Sequence, residues 1–138
     1  MRHAKSGFTL VELMVVVTIL GILGGLAIQQ FTRYQRRANV TRAEAELRSL
    51  ALDVSSFKND TGTYPSQIQD LLKRPSDPAV AAKWHGKYTE KDEIPSDPWG
   101  EEYQYERKPK GAKPPYELYS YGPEGTEADP SEYVHMQK

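Results

Sequence analysis

The sequence predicts an α+β protein in which a long N-terminal helix packs on a small C-terminal antiparallel sheet. Residues 8–28 are apolar apart from Glu12, which predicts a helix of membrane-spanning length. Residues 40–57 carry apolar side chains at steps of three and four, which predicts that the helix continues with one buried face. After residue 102, two short runs alternate along the chain with a period of two, which predicts strands.

The apolar stretch at residues 8–28 is long enough to cross a membrane. About 20 residues at a rise of 1.5 Å each span a hydrocarbon core of roughly 30 Å. Arg2 and Lys5 precede the stretch, and such residues predict that this end stays in the cytoplasm while the rest of the chain lies outside it. An ordinary signal peptide is the alternative, but its small-residue cleavage site would follow the apolar run, whereas Gly7 precedes it.

Glu12 is the unusual residue of this stretch. A charged side chain within a span costs about 2.5–3.5 kcal/mol on insertion scales, so it indicates a function and requires a partner. If the chain is cut after Gly7, Phe8 gains a free α-amine four residues before Glu12. In an assembly of parallel helices, Glu12 of one copy would neutralise the amine of a neighbouring copy.

The segment GFTLVEL behind a short basic leader resembles the N-terminus of type IV pilins and of type II secretion pseudopilins. This resemblance implies cleavage between Gly7 and Phe8 by a prepilin peptidase, N-methylation of Phe8, and a role for Glu12 in filament assembly. It divides the chain into a leader at residues 1–7, a transmembrane and assembly half of the helix at residues 8–31, and a periplasmic domain at residues 32–138.

Length and composition indicate one small domain beside the membrane helix. The chain has 138 residues, which leaves about 100 for that domain. Its formal net charge is −1, and loss of Arg2 and Lys5 with the leader lowers it to −3, so nucleic acid is not an expected partner. The chain has no cysteine, so packing has to hold the domain together, and the C-terminal disulfide loop of many type IV pilins is missing.

The amphipathic half of the helix is predicted to end near residue 59. Gly62 is expected to follow it in the left-handed conformation. Ser66 and Gln69 then have the spacing of a capping box, which predicts a short helix over residues 66–73. The predicted buried stripe of the long helix comprises Val40, Ala43, Leu47, Leu50, Val54 and Phe57, widened by Ala51 and Leu52.

The C-terminal third predicts a turn followed by a hairpin. Residues 97–100 read Asp-Pro-Trp-Gly, which is typical of a type I turn. Strands are predicted at residues 102–107 and 116–121, joined by a basic loop at residues 108–115. Their tyrosines are interpreted as residues of an amphipathic sheet, with a ligand-stacking surface as the alternative. Trp84, Tyr88 and Ile94 are the predicted anchors of the connecting region before this turn.

The DPWG turn, the YQY run and the LYSYG segment resemble the major pseudopilins of type II secretion, and with GTYP they extend the resemblance over residues 7–129. It implies a single-pass protein of the bacterial inner membrane that polymerises into a homopolymeric periplasmic pseudopilus. Its implied partners are minor pseudopilins, the prepilin peptidase and an inner-membrane assembly platform, with an ATPase supplying the work. The extending filament would push folded proteins through an outer-membrane channel.

The acidic segment after the last predicted strand is a candidate calcium site. Ca²⁺ takes 6–8 oxygen ligands from carboxylates, carbonyls and water, and this segment carries carboxylates at Glu124, Glu127, Asp129 and Glu132. Major pseudopilins bind calcium in this loop. The resemblance therefore implies the backbone carbonyl of Tyr121 and the side chains of Glu124 and Asp129 as ligands.

No catalytic motif occurs in the sequence, so we expect a protein that is not an enzyme. It contains no GxSxG, P-loop or HExxH motif, and its three histidines are far apart. The main hypothesis is a structural subunit, the major pseudopilin. The first alternative is a type IV pilin for adhesion, motility or DNA uptake, and the second is a membrane-tethered binding module with an uncut leader.

Overall fold

The computed structural model of this chain describes residues 7–135, so residues 1–6 of the predicted leader and residues 136–138 lie outside the described part. The long helix comes first and the strands come last, as predicted. In order, the elements are helix α1 (Leu10–Thr61), a 3₁₀ turn (Ile68–Leu71), helix α2 (Pro78–Ala81), strands β1 (Gln104–Arg107) and β2 (Tyr116–Ser120), 3₁₀ turns at Gly125–Glu127 and Pro130–Glu132, and strand β3 (Val134–His135). The chain divides between Arg37 and Ala38 into two units.

The N-terminal unit exposes apolar side chains on all sides of α1. Leu13, Val17 and Leu23 are each more than half exposed, and the same holds for most of their apolar neighbours. A helix that is apolar all round is typical of a membrane span. Within the described residues, α1 is the one helix that is long and apolar enough to cross a membrane.

The C-terminal unit has its core along one face of α1. Five of the six predicted stripe residues are buried, and Val40 is partly buried against them. Leu52 is the exception among the two residues predicted to widen the stripe, because its side chain is 70% exposed. The helix ends at Thr61, two residues later than predicted. Gly62 follows with φ +81°, in the left-handed conformation expected of it.

The segment after α1 corrects a prediction. The expected helix over residues 66–73 is a single 3₁₀ turn, and the expected capping box of Ser66 with Gln69 does not form. The buried carboxylate of Asp70 accepts hydrogen bonds from the backbone N–H groups of Ser66 (2.8 Å) and Gln67 (3.3 Å) instead. Asp70 thereby satisfies donors that an α-helical N-terminus would leave free. Ile68 and Leu71 are buried in the core.

The sheet is antiparallel in the order β1-β2-β3. Tyr105 pairs with Leu118 and Ser120 pairs with Val134, and these four side chains point to the face that packs on α1. The two predicted strands are confirmed in shorter form, whereas β3 was not predicted. With two residues it is too short for an alternating pattern, so its pairing with β2 defines it.

The three predicted anchors hold the connecting region to the core. Trp84, Tyr88 and Ile94 are partly buried against the core. The Trp84 Nε1–H donates a hydrogen bond to the carbonyl oxygen of Asp70 at 3.1 Å, and the Tyr88 backbone N–H donates to the carbonyl of Leu71 at 2.8 Å. These contacts join the connecting region to the 3₁₀ turn.

The Asp-Pro-Trp-Gly turn closes as predicted, with the Gly100 N–H donating to the Asp97 carbonyl at 3.0 Å. The Asp97 carboxylate is buried and accepts a hydrogen bond from the Ser120 hydroxyl at 2.5 Å. The Ser120 oxygen in turn accepts from the Gly122 N–H at 3.0 Å. This chain of hydrogen bonds fixes the start of the acidic segment against the sheet.

Candidate functional site

The predicted processing site precedes the first turn of α1. Gly7 and Phe8 are exposed, and neither belongs to the helix, which begins at Leu10. The Phe8 side chain is 87% exposed. Both residues of the predicted cleavage site are therefore exposed, and cleavage between them stays a prediction.

Glu12 is bound by Thr9 at the start of α1. The Thr9 N–H and the Thr9 hydroxyl each donate a hydrogen bond to Glu12 Oε2 at 2.9 Å. The Glu12 N–H donates back to the Thr9 hydroxyl oxygen at 3.2 Å. Thr9 is thus the N-cap and Glu12 the N3 residue of a capping box. Sequence reasoning missed Thr9, although its Thr-x-x-Glu spacing is the signal of such a box.

This arrangement determines what Glu12 can do chemically. Its Oε2 atom has two donors within its own chain, so part of the loss of hydration in a membrane is offset. Within the described residues, Oε1 has no hydrogen-bond partner. The carboxylate therefore keeps one oxygen for a donor from another molecule, such as a protonated amine.

The predicted calcium ligands lie in the loop of residues 121–133, which leaves β2 after Ser120 and returns to pair at Val134. Asp129 caps the second 3₁₀ turn of this loop, since its Oδ1 accepts from the Ser131 hydroxyl at 2.6 Å and from the Ser131 N–H at 2.9 Å. These two bonds lower the pKa of the Asp129 carboxyl. Glu124 is exposed at the start of the first 3₁₀ turn.

The donor types of this loop suit Ca²⁺, but few side chains converge there. In the part of the chain that the structure describes, no three His, Cys, Asp or Glu side chains are grouped so that they could hold a metal. Two carboxylates and the Tyr121 carbonyl would supply only part of the 6–8 oxygens, so water or other carbonyls would have to complete the set. Calcium binding by Tyr121, Glu124 and Asp129 stays a prediction.

The tyrosines follow the sheet as the amphipathic interpretation predicts. Tyr105 and Tyr116 are partly buried against the core, with ring centroids 5.5 Å apart. On the opposite face, Tyr119 and Tyr133 stack at 5.0 Å, and Tyr121 packs edge-on against both. The three tyrosine rings on this opposite face therefore pack against one another.

A partly buried polar contact joins Tyr103, just before β1, to α1. The Tyr103 hydroxyl donates to Glu46 Oε2 at 2.9 Å, and Arg42 pairs with Glu46 Oε1 at 3.2 Å. Tyr103 and Glu46 are 57 residues apart along the chain, so the local sequence does not predict this contact. Burial, followed by the hydrogen bond to Glu46, raises the pKa of Tyr103.

Comparisons with known proteins agree with this architecture. The family model described as type II secretion system (T2SS), protein G, matches residues 30–137, and that of the prokaryotic N-terminal methylation motif matches residues 2–28. The type II secretion system core protein G of Pseudomonas aeruginosa is 39% identical over 130 residues, covering 91% of this chain and 89% of the relative. That of Dickeya chrysanthemi is 32% identical, with coverage of 91% and 82%.

A solved structure supports the fold. The crystal structure of the major pseudopilin from the type 2 secretion system of enterohaemorrhagic Escherichia coli matches with a TM-score of 0.61 at 19% sequence identity. The match covers 73% of this chain and 84% of that one.

The long helix with its capped glutamate, the small antiparallel sheet and the N-terminal methylation motif define a pilin-like protein. The chain belongs to the protein G family of the type II secretion system. The predicted resemblance is thereby confirmed, and the matches to type II secretion proteins favour the pseudopilin over the type IV pilin alternative.

Proposed function

We propose that this chain is the major structural subunit of a periplasmic pseudopilus that drives the export of folded proteins. The observation that carries the proposal is the N-terminal half of α1, which exposes apolar side chains on all sides around one capped carboxylate, Glu12. Membership of the protein G family supports the same role. A structural role requires no catalytic residue in this chain, and the lack of enzymatic activity stays a prediction.

Cleavage after Gly7 gives each copy a new N-terminus at Phe8. Its amine carries a positive charge when protonated, and methylation of the nitrogen leaves that charge in place. In an assembly of parallel helices, the amine of one copy binds the free Oε1 of Glu12 in the next. Attraction between opposite charges is far stronger in lipid than in water, so this pair offsets the cost of a buried carboxylate.

Before assembly, the subunit is a single-pass protein of the bacterial inner membrane, with its N-terminus in the cytoplasm and the C-terminal unit in the periplasm. Its proposed partners are the prepilin peptidase, the minor pseudopilins and an inner-membrane assembly platform. Further copies of this chain form the filament itself. The ATPase of the secretion system supplies the work of extension.

Removal of the carboxylate at Glu12 tests the assembly role. We expect Glu12→Ala to abolish filaments while the subunit stays in the membrane, because the neighbour's amine loses its partner. Filament yield by electron microscopy and the membrane fraction by immunoblotting are the two measurements. Glu90→Ala removes an exposed glutamate of the connecting region and serves as the control. Abundant filaments of Glu12→Ala would refute this account.

N-terminal sequencing and the intact mass of the protein from its native membrane test the processing step. We expect a chain that begins at methylated Phe8. Gly7→Ala should leave the leader attached, because a larger side chain stands at the cleavage site. A wild-type chain that still begins at Met1 would instead support the membrane-tethered binding module.

We also propose that the loop of residues 121–133 binds calcium through the Tyr121 carbonyl and the side chains of Glu124 and Asp129. Because two carboxylates supply little charge, affinity in the range of about 10⁻⁴–10⁻³ M is expected. Millimolar calcium should raise the melting temperature of the full chain in detergent. Glu124→Ala with Asp129→Ala should remove that rise, and Glu90→Ala with Glu93→Ala should keep it. A wild-type melting temperature that is the same with and without calcium would refute this proposal.

A further inference from the structure

Opposite charges lie at the two ends of strand β2 in the C-terminal unit. The segment before β2 carries Arg107, Lys108, Lys110 and Lys113 with no acidic residue among them. After β2, residues 121–133 carry acidic side chains, and no Lys or Arg occurs in residues 114–137. Because β2 has five residues, its two ends are about 14 Å apart.

The basic end forms an open groove of about 890 Å³, here called the basic groove, lined by Lys58, Tyr64, Arg107, Lys108 and Lys110 with their neighbours. Lys58 Nζ lies 4.6 Å from the centre of the Tyr64 ring. Arg107 Nη1 donates to the Tyr64 carbonyl at 3.2 Å. The end of α1 and the β1–β2 hairpin thus fix the positions of these cations.

The groove has more positive than negative charge. Lys108 is paired with Glu106 at 2.8 Å and with Glu117 at 3.3 Å. Lys110 is exposed and has no hydrogen-bond or ion-pair partner within the described residues. Lys58 and Arg107 make no ion pair with a carboxylate in that same part of the chain. The groove therefore favours an anionic occupant.

The acidic end is a loop of defined shape, here called the acidic loop, residues 121–133. Two 3₁₀ turns fold it, and the β2–β3 pairing of Ser120 with Val134 closes its base. Glu127, Asp129 and Glu132 are exposed on it. In the described range 7–135, none of these three carboxylates forms an ion pair with a cation of the basic groove.

We propose that the acidic loop of one copy docks into the basic groove of the next copy in the filament. This inference rests on the proposed function, since it requires a homopolymer. Two different, complementary patches on one subunit make a head-to-tail contact, and such contacts build open filaments rather than closed dimers. Charge complementarity also sets the direction of addition, because the reverse orientation brings like charges together.

The proposed calcium ligands do not compete with this contact. Glu127 and Glu132 are not among them, so both carboxylates remain free for the groove while Glu124 and Asp129 hold an ion. An acidic exported protein is the other class of occupant. The experiments below distinguish it from a second copy.

Charge exchange tests the pairing. Lys110→Glu and Glu127→Lys should each lower filament yield several-fold, and the double variant should recover most of the yield because the charges match again. Lys83→Glu and Glu90→Lys change exposed charges in the connecting region and should leave the yield unchanged. Single variants with the filament yield of the wild type would overturn the proposal. A double variant whose yield is no higher than that of the single variants would overturn it as well.

Cysteine cross-linking gives a direct readout, because the chain has no thiol of its own. Filaments of Lys110→Cys/Glu127→Cys treated with a short bis-maleimide should yield a ladder of dimers, trimers and longer products. Each single-cysteine variant should give no ladder, because one side of the contact then has no thiol, and Lys83→Cys/Glu90→Cys should give no ladder either.

The outcomes separate the two proposals. Wild-type copies that form no filament would refute the proposed function itself. Filaments of the double-cysteine variant without a ladder would refute the docking alone. A cross-link from Lys110→Cys to an exported protein, with no ladder, would assign the groove to the cargo and likewise overturn docking between copies.

Discussion

Asp97 joins a turn to strand β2 through one carboxylate, which accepts three hydrogen bonds. Its Oδ1 accepts from the N–H groups of Trp99 (3.0 Å) and Glu101 (2.9 Å), and its Oδ2 accepts from Ser120. The first two bonds belong to a turn that the sequence predicts. The third hydrogen bond joins residues 23 positions apart, so the local sequence does not predict it.

The first prediction concerns this carboxylate. Asp97→Asn keeps the size of the side chain but turns one acceptor oxygen into a donor, so the buried Ser120 hydroxyl loses its partner. We expect the free energy of unfolding to fall by about 1–3 kcal/mol. Thermal unfolding of the full chain measures it, with exposed Glu93→Gln as control. An unchanged melting temperature would show that the contact contributes nothing.

The second prediction concerns the buried phenols. Burial is the largest cause that raises the pKa of Tyr103, Tyr105 and Tyr116. A free tyrosine titrates near pH 10. The stabilisation from these neutral phenols is therefore complete below about pH 10 and is lost as the pH rises above it.

The measurement is the free energy of unfolding at several alkaline pH values. Its decrease above about pH 10 should be shallower in Tyr103→Phe, which has no phenol to ionise there. Tyr34→Phe, whose parent side chain is 73% exposed, is the control. Equal slopes for Tyr103→Phe and the wild type would contradict the assignment.

At the scale of elements, α1 shows what a periodic pattern can and cannot predict. Steps of three and four identified five buried residues because a helix repeats its environment every 3.6 residues. The pattern failed at Leu52, which was assigned to the buried face by its apolarity alone. The 3₁₀ turn was missed because Asp70, rather than the predicted pair of Ser66 and Gln69, binds the N–H groups of Ser66 and Gln67. Strand β3 was missed because its pairing with β2 is a tertiary contact.

The third prediction uses this contrast. Leu47 is fully buried and Leu52 is 70% exposed, although both are leucines of one helix. Leu47→Ala should lower the free energy of unfolding by about 2–5 kcal/mol through lost packing and a cavity. Leu52→Ala should change it by less than about 0.5 kcal/mol. Denaturant unfolding of the full chain measures both, and similar values for the two would contradict this assignment of the core.

The fourth prediction concerns the start of α1. Thr9→Val removes the hydroxyl that donates to Glu12, which should cost about 1 kcal/mol of helix stability at this end. Faster hydrogen exchange in residues 10–13 should follow. Thr9→Ser keeps the hydroxyl and should behave like the wild type. Equal exchange in the valine and serine variants would show that the cap does not hold this turn.

At the scale of the whole molecule, motif and topology contribute different information. The basic leader, Gly7, Phe8 and Glu12 were readable because they lie within one short segment. The basic groove could not be predicted from the sequence, because Lys58 and Lys110 lie 52 residues apart in the chain. The excess of acidic residues in residues 121–133 was visible, but the pairing that closes this loop was not.

The fifth prediction follows from the proposed contact between copies. Its charges are exposed in the subunit, so salt should weaken it as the Debye length falls from about 8 Å at 0.15 M to about 3 Å at 1 M. The Lys110→Cys/Glu127→Cys ladder should shorten at 1 M salt. Pairing at Glu12 within the lipid should persist, so filaments should still be seen. A ladder that does not respond to salt would contradict an electrostatic contact.

The hydrogen bonds between Thr9 and Glu12 also matter for a subunit that has not yet joined a filament. In a copy that has no neighbour, the Glu12 carboxylate still accepts two hydrogen bonds from Thr9, so its charge is partly compensated. Under the proposed function, such a copy can stay in the bilayer with a hydrogen-bonded carboxylate until a neighbour supplies the amine.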